Sequence, residues 1–434
     1  MSSSVAEGGW GWIIVASAHS AMLIWDGNVK ALAVLLPSLK EQFTSQTWLI
    51  GIIIAGLSTV LELTAPIIGA INENFNIDPR YVGVTGGVLS SFAFMAASFS
   101  SSTLQLFLFI SVIGGIGLGL AFIQSTTLVP RYFDELYPRA SGIVTCGTAV
   151  GMIIFAPLTQ LFLDTYGWRS SLLLVGALNA HLIVTGSLLR PVNQVNASYS
   201  TIEPNYIDAD TTGRKDTEKG TPFLKKTISA KQVLEFLFPT TIFTDPIYIL
   251  HLLVFCCSAF VLSGWFIYLV PHAISKGLQP YEAAAISMVS AVVSIIGRLS
   301  YFPLVERDIV KIRSLMYAGS ALSAVALLVD PWMKTFWSLT ISSSAYFLGR
   351  GVFKSLFFVI LKGNIGAEHF ASGFGWCVAI GGIFRFIAGG VVGWLYDYTG
   401  HYDYGFLVLG GVECLGIFFL FVEDMYRNTR LQKK

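Results

Sequence analysis

Charge is scarce in this 434-residue sequence: only 12% of the residues are Asp, Glu, Lys or Arg, whereas 54% are hydrophobic. Soluble proteins carry about 25% charged residues, so this composition is typical of a protein that crosses a membrane many times. The formal net charge is +1, and the sequence has no basic helix or Cys/His finger of the kind that binds nucleic acid. The sequence therefore predicts a multi-pass integral membrane protein without a nucleic-acid partner.

Cysteine and histidine are also sparse. The five cysteines all lie in apolar stretches, which argues against a disulfide framework. Neither the cysteines nor the six histidines show a metal-ligand spacing, and no Ser/His/Asp set is visible. We therefore expect no metal, no cofactor and no enzymatic activity. No basic segment with a cleavage site precedes the first apolar run, so we expect that run to remain as a membrane span.

Long apolar runs are what the sequence has in abundance. A spanning helix needs about 20 mostly apolar residues, and twelve runs meet this requirement. They lie near 10–36, 46–71, 81–99, 104–127, 140–162, 168–190, 244–270, 281–304, 313–330, 335–361, 371–396 and 403–423. A polar stretch separates the first six from the last six. We predict an N-terminal six-helix bundle at 1–190, a cytoplasmic linker at 191–240, and a C-terminal six-helix bundle with a short cytoplasmic tail at 241–434.

Lysine and arginine are distributed unevenly around these runs. Eighteen of the 27 fall on the side that holds both termini, four fall on the opposite side, and five lie within the spans. Because positive residues concentrate on the cytoplasmic side, we predict cytoplasmic N- and C-termini. Two six-helix halves joined by a cytoplasmic linker predict an all-α membrane protein with the major facilitator superfamily fold, in which the halves rock around a site near the bilayer midplane.

Five cations and at least three acids fall deep inside the predicted spans, where each charge costs about 2.5–3.5 kcal/mol on insertion scales. The cations are Lys30, Arg298, Arg350, Lys354 and Arg385, and the acids include Asp26, Glu62 and Glu413. Such residues usually face the bundle interior or a hydrated cavity. The excess of cations predicts an electropositive cavity that suits an organic anion or zwitterion. The substrate-binding candidates are Lys30, Arg298, Asp26 and Arg350.

Asp26 and Lys30 are four residues apart, which places them on one helix face. They form either a structural ion pair or a resting pair that an incoming carboxylate opens, leaving Asp26 to accept a proton. Arg298 either extends toward the cytoplasmic face or captures the anion, since a guanidinium binds a carboxylate through two parallel hydrogen bonds. The candidates for proton coupling are Asp26, Lys30 and Glu62.

Two motifs are similar to those of a known family. The segment EGGWGW at 7–12 resembles the opening motif of the monocarboxylate transporters, a family within the major facilitator superfamily. The segment YFDELYPRASGIVTCGTAVG at 132–151 resembles their second signature, although it has acidic residues where relatives carry a basic cluster. We expect gating or signature roles for Gly8, Gly9, Trp10, Gly11, Trp12, Tyr132, Phe133, Arg139, Gly142, Gly147 and Gly151.

The resemblance implies roles for two of the buried cations. In proton-linked members a lysine of the first helix accepts the proton and the carboxylate, and Lys30 falls at that position. An aspartate–arginine pair in the eighth helix forms the other half of that mechanism. Arg298 matches the arginine, but Ser294 stands where the aspartate is expected. Either Asp26 or Glu62 replaces that carboxylate, or transport is not coupled to protons.

The resemblance therefore implies a secondary transporter of a small monocarboxylate such as lactate or pyruvate, working by alternating access with a proton in the plasma membrane. Its implied partners are that organic anion, the proton, the lipid bilayer and, as for some members, a single-span immunoglobulin-like chaperone. The alternative is an uncoupled carrier of a larger or zwitterionic solute, such as an aromatic amino acid, a thyroid-hormone-like molecule, creatine or carnitine. A non-transporting receptor or scaffold is more distant, because neither the linker nor the tail carries fold signals.

Overall fold

A computed structural model describes residues 8–44, 46–74, 77–133, 136–191, 243–300 and 310–432 of the chain. Within these ranges every regular element is a helix. The helices are α1 Trp10–Phe43, α2 Thr47–Asn74, α3 Pro79–Ala97, α4 Thr103–Tyr132, α5 Tyr137–Asn179, α6 His181–Ser187, α7 Pro246–Ser275, α8 Pro280–Ser300, α9 Ile312–Val329, α10 Phe336–Thr399 and α11 Asp403–Gln432. The predicted linker beyond residue 191 lies outside the described residues, as do Glu7 of the first motif and Asp134 and Glu135 of the second.

Nine segments of the described residues are long and apolar enough to cross a bilayer. One of them, Arg139–Ser187, contains two of the predicted spans, because α5 breaks at Gly167. The backbone there has φ 76° and ψ 172°, a conformation that glycine adopts without steric cost. The break falls where the sequence predicted the boundary between the spans at 140–162 and 168–190.

The long run α10 also contains two spans, since it must fold back on itself. The ring of Phe357 lies 5.1 Å from that of Phe255, and a Cβ added to Gly381 would lie 2.5 Å from the same Phe255 ring. In a straight helix, residues 357 and 381 would be about 36 Å apart. The chain therefore reverses between them, as predicted from the apolar runs at 335–361 and 371–396.

Local sequence explains several helix ends. Asp245 precedes α7 and accepts a hydrogen bond from the main-chain N–H of Ile247, while Pro246 occupies the first helical position. Gly400 ends α10 with φ 76°, the left-handed conformation typical of a glycine cap. Gly8 and Gly9, the glycines of the first motif, precede α1 with φ 132° and 55°. These local signals fix where α1 and α7 begin and where α10 ends.

The two halves of the bundle meet where α1 packs against α7, α2 against α10, and α5 against α8. Along the α2–α10 contact, a Cβ on Gly389 would lie 2.6 Å from the carbonyl oxygen of Gly51, and one on Gly393 would lie 2.6 Å from Trp48 Cα. Tyr268 of α7 donates its hydroxyl proton to Gly389 O at 2.5 Å. We call this contact the glycine seam. Its backbones approach so closely that a side chain has no room.

Gly389→Ala tests the glycine seam. The added methyl group would meet Ala55 and the Gly51 carbonyl, and we expect the free energy of unfolding to fall by about 1–3 kcal/mol, the usual cost of overpacking. Gly411→Ala is the matched control, because nothing lies within 4 Å of a Cβ at Gly411. The measurement is the thermal midpoint of each purified variant in detergent, and equal midpoints would show that the seam is not closely packed.

Candidate substrate site

Lys30 of α1 is fully buried, with 0% of its surface exposed. Its ammonium donates a hydrogen bond to the carbonyl of Phe266 at 3.1 Å. The same ammonium lies 4.9 Å from the ring centroid of Trp265 and 5.2 Å from that of Phe266. Trp265 and Phe266 belong to α7, so Lys30 bridges the two halves. Aromatic faces stabilise a desolvated ammonium by about 2 kcal/mol but provide no countercharge.

The pairing considered for Asp26 and Lys30 is not formed. Among the described residues, no carboxylate lies within ion-pair distance of the Lys30 ammonium. Lys30 instead donates to the main-chain carbonyl of Phe266 on α7. A positive charge between the halves is therefore left without an acidic partner.

Asp26 interacts with other charges. It is close enough to Glu62, Arg298 and Lys354 for their charges to interact. These residues come from α1, α2, α8 and α10, which means that both halves contribute. The structure thus brings Asp26, Glu62, Arg298 and Lys354 into one region. Asp26 itself is half-buried.

Arg298 of α8 is 8% exposed and donates through Nη1 to the carbonyl of Thr145 on α5, so it also crosses between the halves. Its Nε has no hydrogen-bond partner among the described residues. One turn earlier, the buried hydroxyl of Ser294 is likewise unpartnered within the described chain. Since buried polar groups are normally satisfied, the Arg298 guanidinium has hydrogen-bonding capacity for a polar guest.

Arg350 lies inside the C-terminal half. Its Nη1 donates to the Ser258 hydroxyl of α7, and its charge interacts with those of Glu413 and Arg385. The guanidinium carbon lies 5.3 Å from the centroid of the Phe353 ring. Within the described residues its Nε has no partner. Arg350 therefore faces partners from its own half, unlike Lys30 and Arg298.

Glu62 and Arg385 form an ion pair that the sequence spacing did not suggest. Arg385 Nε lies 3.0 Å from Glu62 Oε1, and Glu62 is only 2% exposed. The pair joins α2 to α10. Beside it, the Thr59 hydroxyl donates to the carbonyl of Gly382 at 2.7 Å. Glu62 was a candidate for proton coupling, and here it holds the two halves together.

The two signature motifs meet within the N-terminal half. The Arg190 guanidinium lies 3.8 Å from the Trp10 ring, and the Tyr132 hydroxyl donates to the Arg190 carbonyl at 2.7 Å. The rings of Trp12 and Phe133 are 5.0 Å apart. These contacts fix the start of α1 against the end of α4. They are packing contacts at one end of the half and do not reach the buried charges.

The signature glycines differ in what surrounds them. A Cβ on Gly11 would lie 2.9 Å from the Phe133 ring, and one on Gly147 would lie 2.5 Å from a main-chain oxygen of α1. Gly151 also lies against the α1 backbone. Gly142 has open space around it, and Arg139 is exposed. Gly147 and Gly151 therefore act as close-packing positions between α1 and α5.

A cavity of about 490 Å³ lies between the halves at the end of the bundle where α1 stops, which we call the Lys40 end. Leu36 and Lys40 of α1 line it together with Pro271 of α7 and Tyr396 of α10. Leu36 is six residues, or about 9 Å of helix, from Lys30. Lys30 is fully buried and does not line the cavity.

Side chains from both halves close the Lys40 end. The Lys40 ammonium lies 3.8 Å from the carboxylate of Asp397 and 4.7 Å from the Tyr396 ring centroid. The main-chain N–H of Trp48 donates to Asp397 at 3.1 Å. Together with the glycine seam, these contacts hold α1 and α2 against α10. The structure is therefore closed on this side of the buried charges.

Two helical halves that enclose a group of buried charges define a multi-pass membrane transporter. The family model described as Major Facilitator Superfamily matches residues 20–329, and the chain belongs to this superfamily. This confirms the predicted all-α fold class.

The chain is also similar to monocarboxylate transporters over nearly its whole length. It is 26% identical to Monocarboxylate transporter 12 of Mus musculus, over 99% of this chain and 89% of the relative. It is 26% identical to Monocarboxylate transporter 2 of Rattus norvegicus, over 99% and 86%. With Monocarboxylate transporter 13 of the same rat species the identity is 27%, over 94% and 88%. These similarities confirm the resemblance drawn from the motifs.

Proposed function

We propose that this transporter carries a small monocarboxylate, such as lactate or pyruvate, together with a proton and by alternating access. The position of Lys30 carries the proposal. Its ammonium is buried between the halves without an acidic partner among the described residues, and it contacts the opposite half. A buried charge is stable only when paired, and a substrate carboxylate is the partner that this position lacks.

The geometry suggests a path for the anion. The cavity at the Lys40 end lies about two turns of α1 from Lys30. Arg298 lies on another contact between the halves and keeps an unpartnered Nε within the described residues. We propose that Lys30 receives the carboxylate first and that Arg298 then holds it near the midplane. With cytoplasmic termini, the Lys40 end faces outward from the cell, and we place the transporter in the plasma membrane.

The proton needs an acid other than the missing aspartate of α8. Asp26 and Glu62 are the two carboxylates of this charge group that lie on the N-terminal half, and each interacts with cations of the opposite half. Protonation of either would weaken those attractions, which would link proton binding to movement of the halves. We also propose a single-span immunoglobulin-like chaperone as a partner, and only the family resemblance supports it.

An uncoupled carrier of a larger or zwitterionic solute is the second candidate. Ser294 favours it, because no carboxylate stands one turn before Arg298 on α8. The aromatic rings of Trp265 and Phe266 beside Lys30 also favour it, since they offer an apolar wall to a larger solute. An aromatic amino acid satisfies both features.

Proton coupling is tested by uptake of labelled lactate into proteoliposomes at two imposed pH gradients. We expect an inward-directed acid gradient to accelerate uptake several-fold over equal pH, because the proton and the carboxylate enter together. The membrane potential is clamped in both conditions, and empty liposomes are the control. Equal rates of lactate uptake with and without the pH gradient would exclude proton symport. Competition by aromatic or zwitterionic solutes would then favour the second candidate.

A further inference from the structure

The Glu62–Arg385 pair joins a carboxylate of the N-terminal half, on α2, to a cation of the C-terminal half, on α10. Arg385 Nε lies 3.0 Å from Glu62 Oε1. The second carboxylate oxygen, Glu62 Oε2, is buried and has no hydrogen-bond partner within the described residues. Glu62 can therefore accept from a second cation as well as from Arg385.

The position of this pair ties it to the opening of the Lys40 end. Glu62 is fourteen residues beyond Trp48 on α2, about 21 Å of helix rise and most of the thickness of a bilayer core. The glycine seam fills the stretch between them, from Gly393 and Gly389 to the Thr59–Gly382 hydrogen bond. If α2 separates from α10 starting at the Lys40 end, the ion pair is therefore the last contact to open, and complete separation breaks it.

A buried ion pair that loses one partner is strongly destabilised, so the separated charges need new partners. Glu62 has one nearby, because its charge already interacts with that of Lys354. Arg385 has cations beside it instead, since its charge also acts on Arg350 and Lys354. Opening the seam thus leaves Arg385 as a cation in need of an anion, at the inner end of the space that opens from the Lys40 end.

We propose that Arg385 is a further carboxylate-binding residue of the transport cycle, and that Glu62 occupies it as an internal carboxylate whenever the halves are closed at the Lys40 end. The proposal rests on the proposed transport of an organic anion. The substrate carboxylate replaces Glu62 on Arg385 as the seam opens, while Glu62 turns to Lys354. The exchange keeps both Glu62 and Arg385 paired, and the empty carrier recloses only when Glu62 returns to Arg385. This is the resting-pair arrangement that the sequence suggested for Asp26 and Lys30, formed by different residues.

The test compares Glu62→Gln with the charge swap that combines Glu62→Arg and Arg385→Glu, using labelled L-lactate in proteoliposomes. We expect Glu62→Gln to lower net uptake at least tenfold while lactate–lactate exchange stays within about threefold of the parent. The substrate-loaded carrier can change conformation without Glu62, whereas the empty carrier needs Glu62 to pair with Arg385 before it closes. The swap rebuilds the pair but presents a carboxylate where the substrate binds, and we expect it to lose both net uptake and exchange. Equal losses of uptake and exchange in Glu62→Gln, or restored uptake in the swap, would show that the pair is only structural.

A second readout does not depend on the substrate. Ile52 of α2 meets Gly390 across the seam, so Ile52→Cys reports whether the seam is open. We expect a membrane-impermeant maleimide to label residue 52 several-fold faster when Glu62→Gln is added, and the swap to restore the parental rate, as read by peptide mass spectrometry. If the protein without these substitutions fails to transport lactate, only the proposed substrate is wrong. If Ile52→Cys is labelled equally fast alone, with Glu62→Gln and with the charge swap, the proposed role of the Glu62–Arg385 pair is wrong.

Discussion

Lys30→Gln is expected to lower lactate uptake about 100-fold, at an unchanged amount of protein in the membrane. Hydrogen bonds to charged groups contribute about 1.5–3 kcal/mol each, and in the proposed path the Lys30 ammonium is the buried cation that receives the carboxylate first. Glutamine retains an N–H donor but has no charge for the carboxylate. The measurement is initial uptake into proteoliposomes, with Lys334→Gln as the control because Lys334 is an exposed lysine.

Lys30→Met separates the transport role of Lys30 from any role in folding. Methionine keeps an unbranched side chain against Trp265 and Phe266 and removes a buried charge that has no acidic partner among the described residues. Replacing buried charge by apolar side chains is often neutral or stabilising. We therefore expect a thermal midpoint equal to or above that of the parent, together with lost uptake. Retained uptake in either variant would remove Lys30 from the mechanism, and a lower midpoint in Lys30→Met would make it a structural residue.

The arrangement of the spans follows from the sequence because apolar run length and bilayer thickness are linked. The ends follow less well. The run counted as 10–36 continues as helix to Phe43. The count stopped early because Pro37 and Lys40 are uncommon in a helix that faces lipid. In the structure this last part of α1 lines a cavity and pairs with Asp397. Hydropathy detects contact with lipid, whereas the helix extends as far as its backbone hydrogen bonds do.

Sequence spacing suggested partners only within one helix. It indicated Asp26 for Lys30, but the acceptor of Lys30 is a carbonyl on α7, and main-chain carbonyls leave no signal in a sequence. Thr145 O, which accepts from Arg298, is another such acceptor. The Glu62–Arg385 pair joins residues more than 300 positions apart. The sequence could identify the charges that must be compensated, but three-dimensional packing decides which of them meet.

Arg298→Gln is expected to lower uptake as strongly as loss of Lys30, by about 100-fold, because two functions are lost together. The guanidinium anchors α8 to the Thr145 carbonyl of α5, and its remaining donors can receive a carboxylate. Arg298→Lys is expected to recover little, since an ammonium cannot bond in parallel to a carboxylate and to a second acceptor through a planar fork. The measurement is initial lactate uptake over a range of concentrations.

Ser294→Ala is the matched control on the same face of α8, one turn away. Its hydroxyl is buried and has no partner within the described residues, so removal should leave uptake within about twofold and stability unchanged or slightly higher. Strong inhibition by Ser294→Ala would mean that the hydroxyl binds the substrate. Full uptake by Arg298→Gln would remove Arg298 from carboxylate binding. In that case the contact between α5 and α8 serves the fold, and the anion crosses the midplane along α1 and α7.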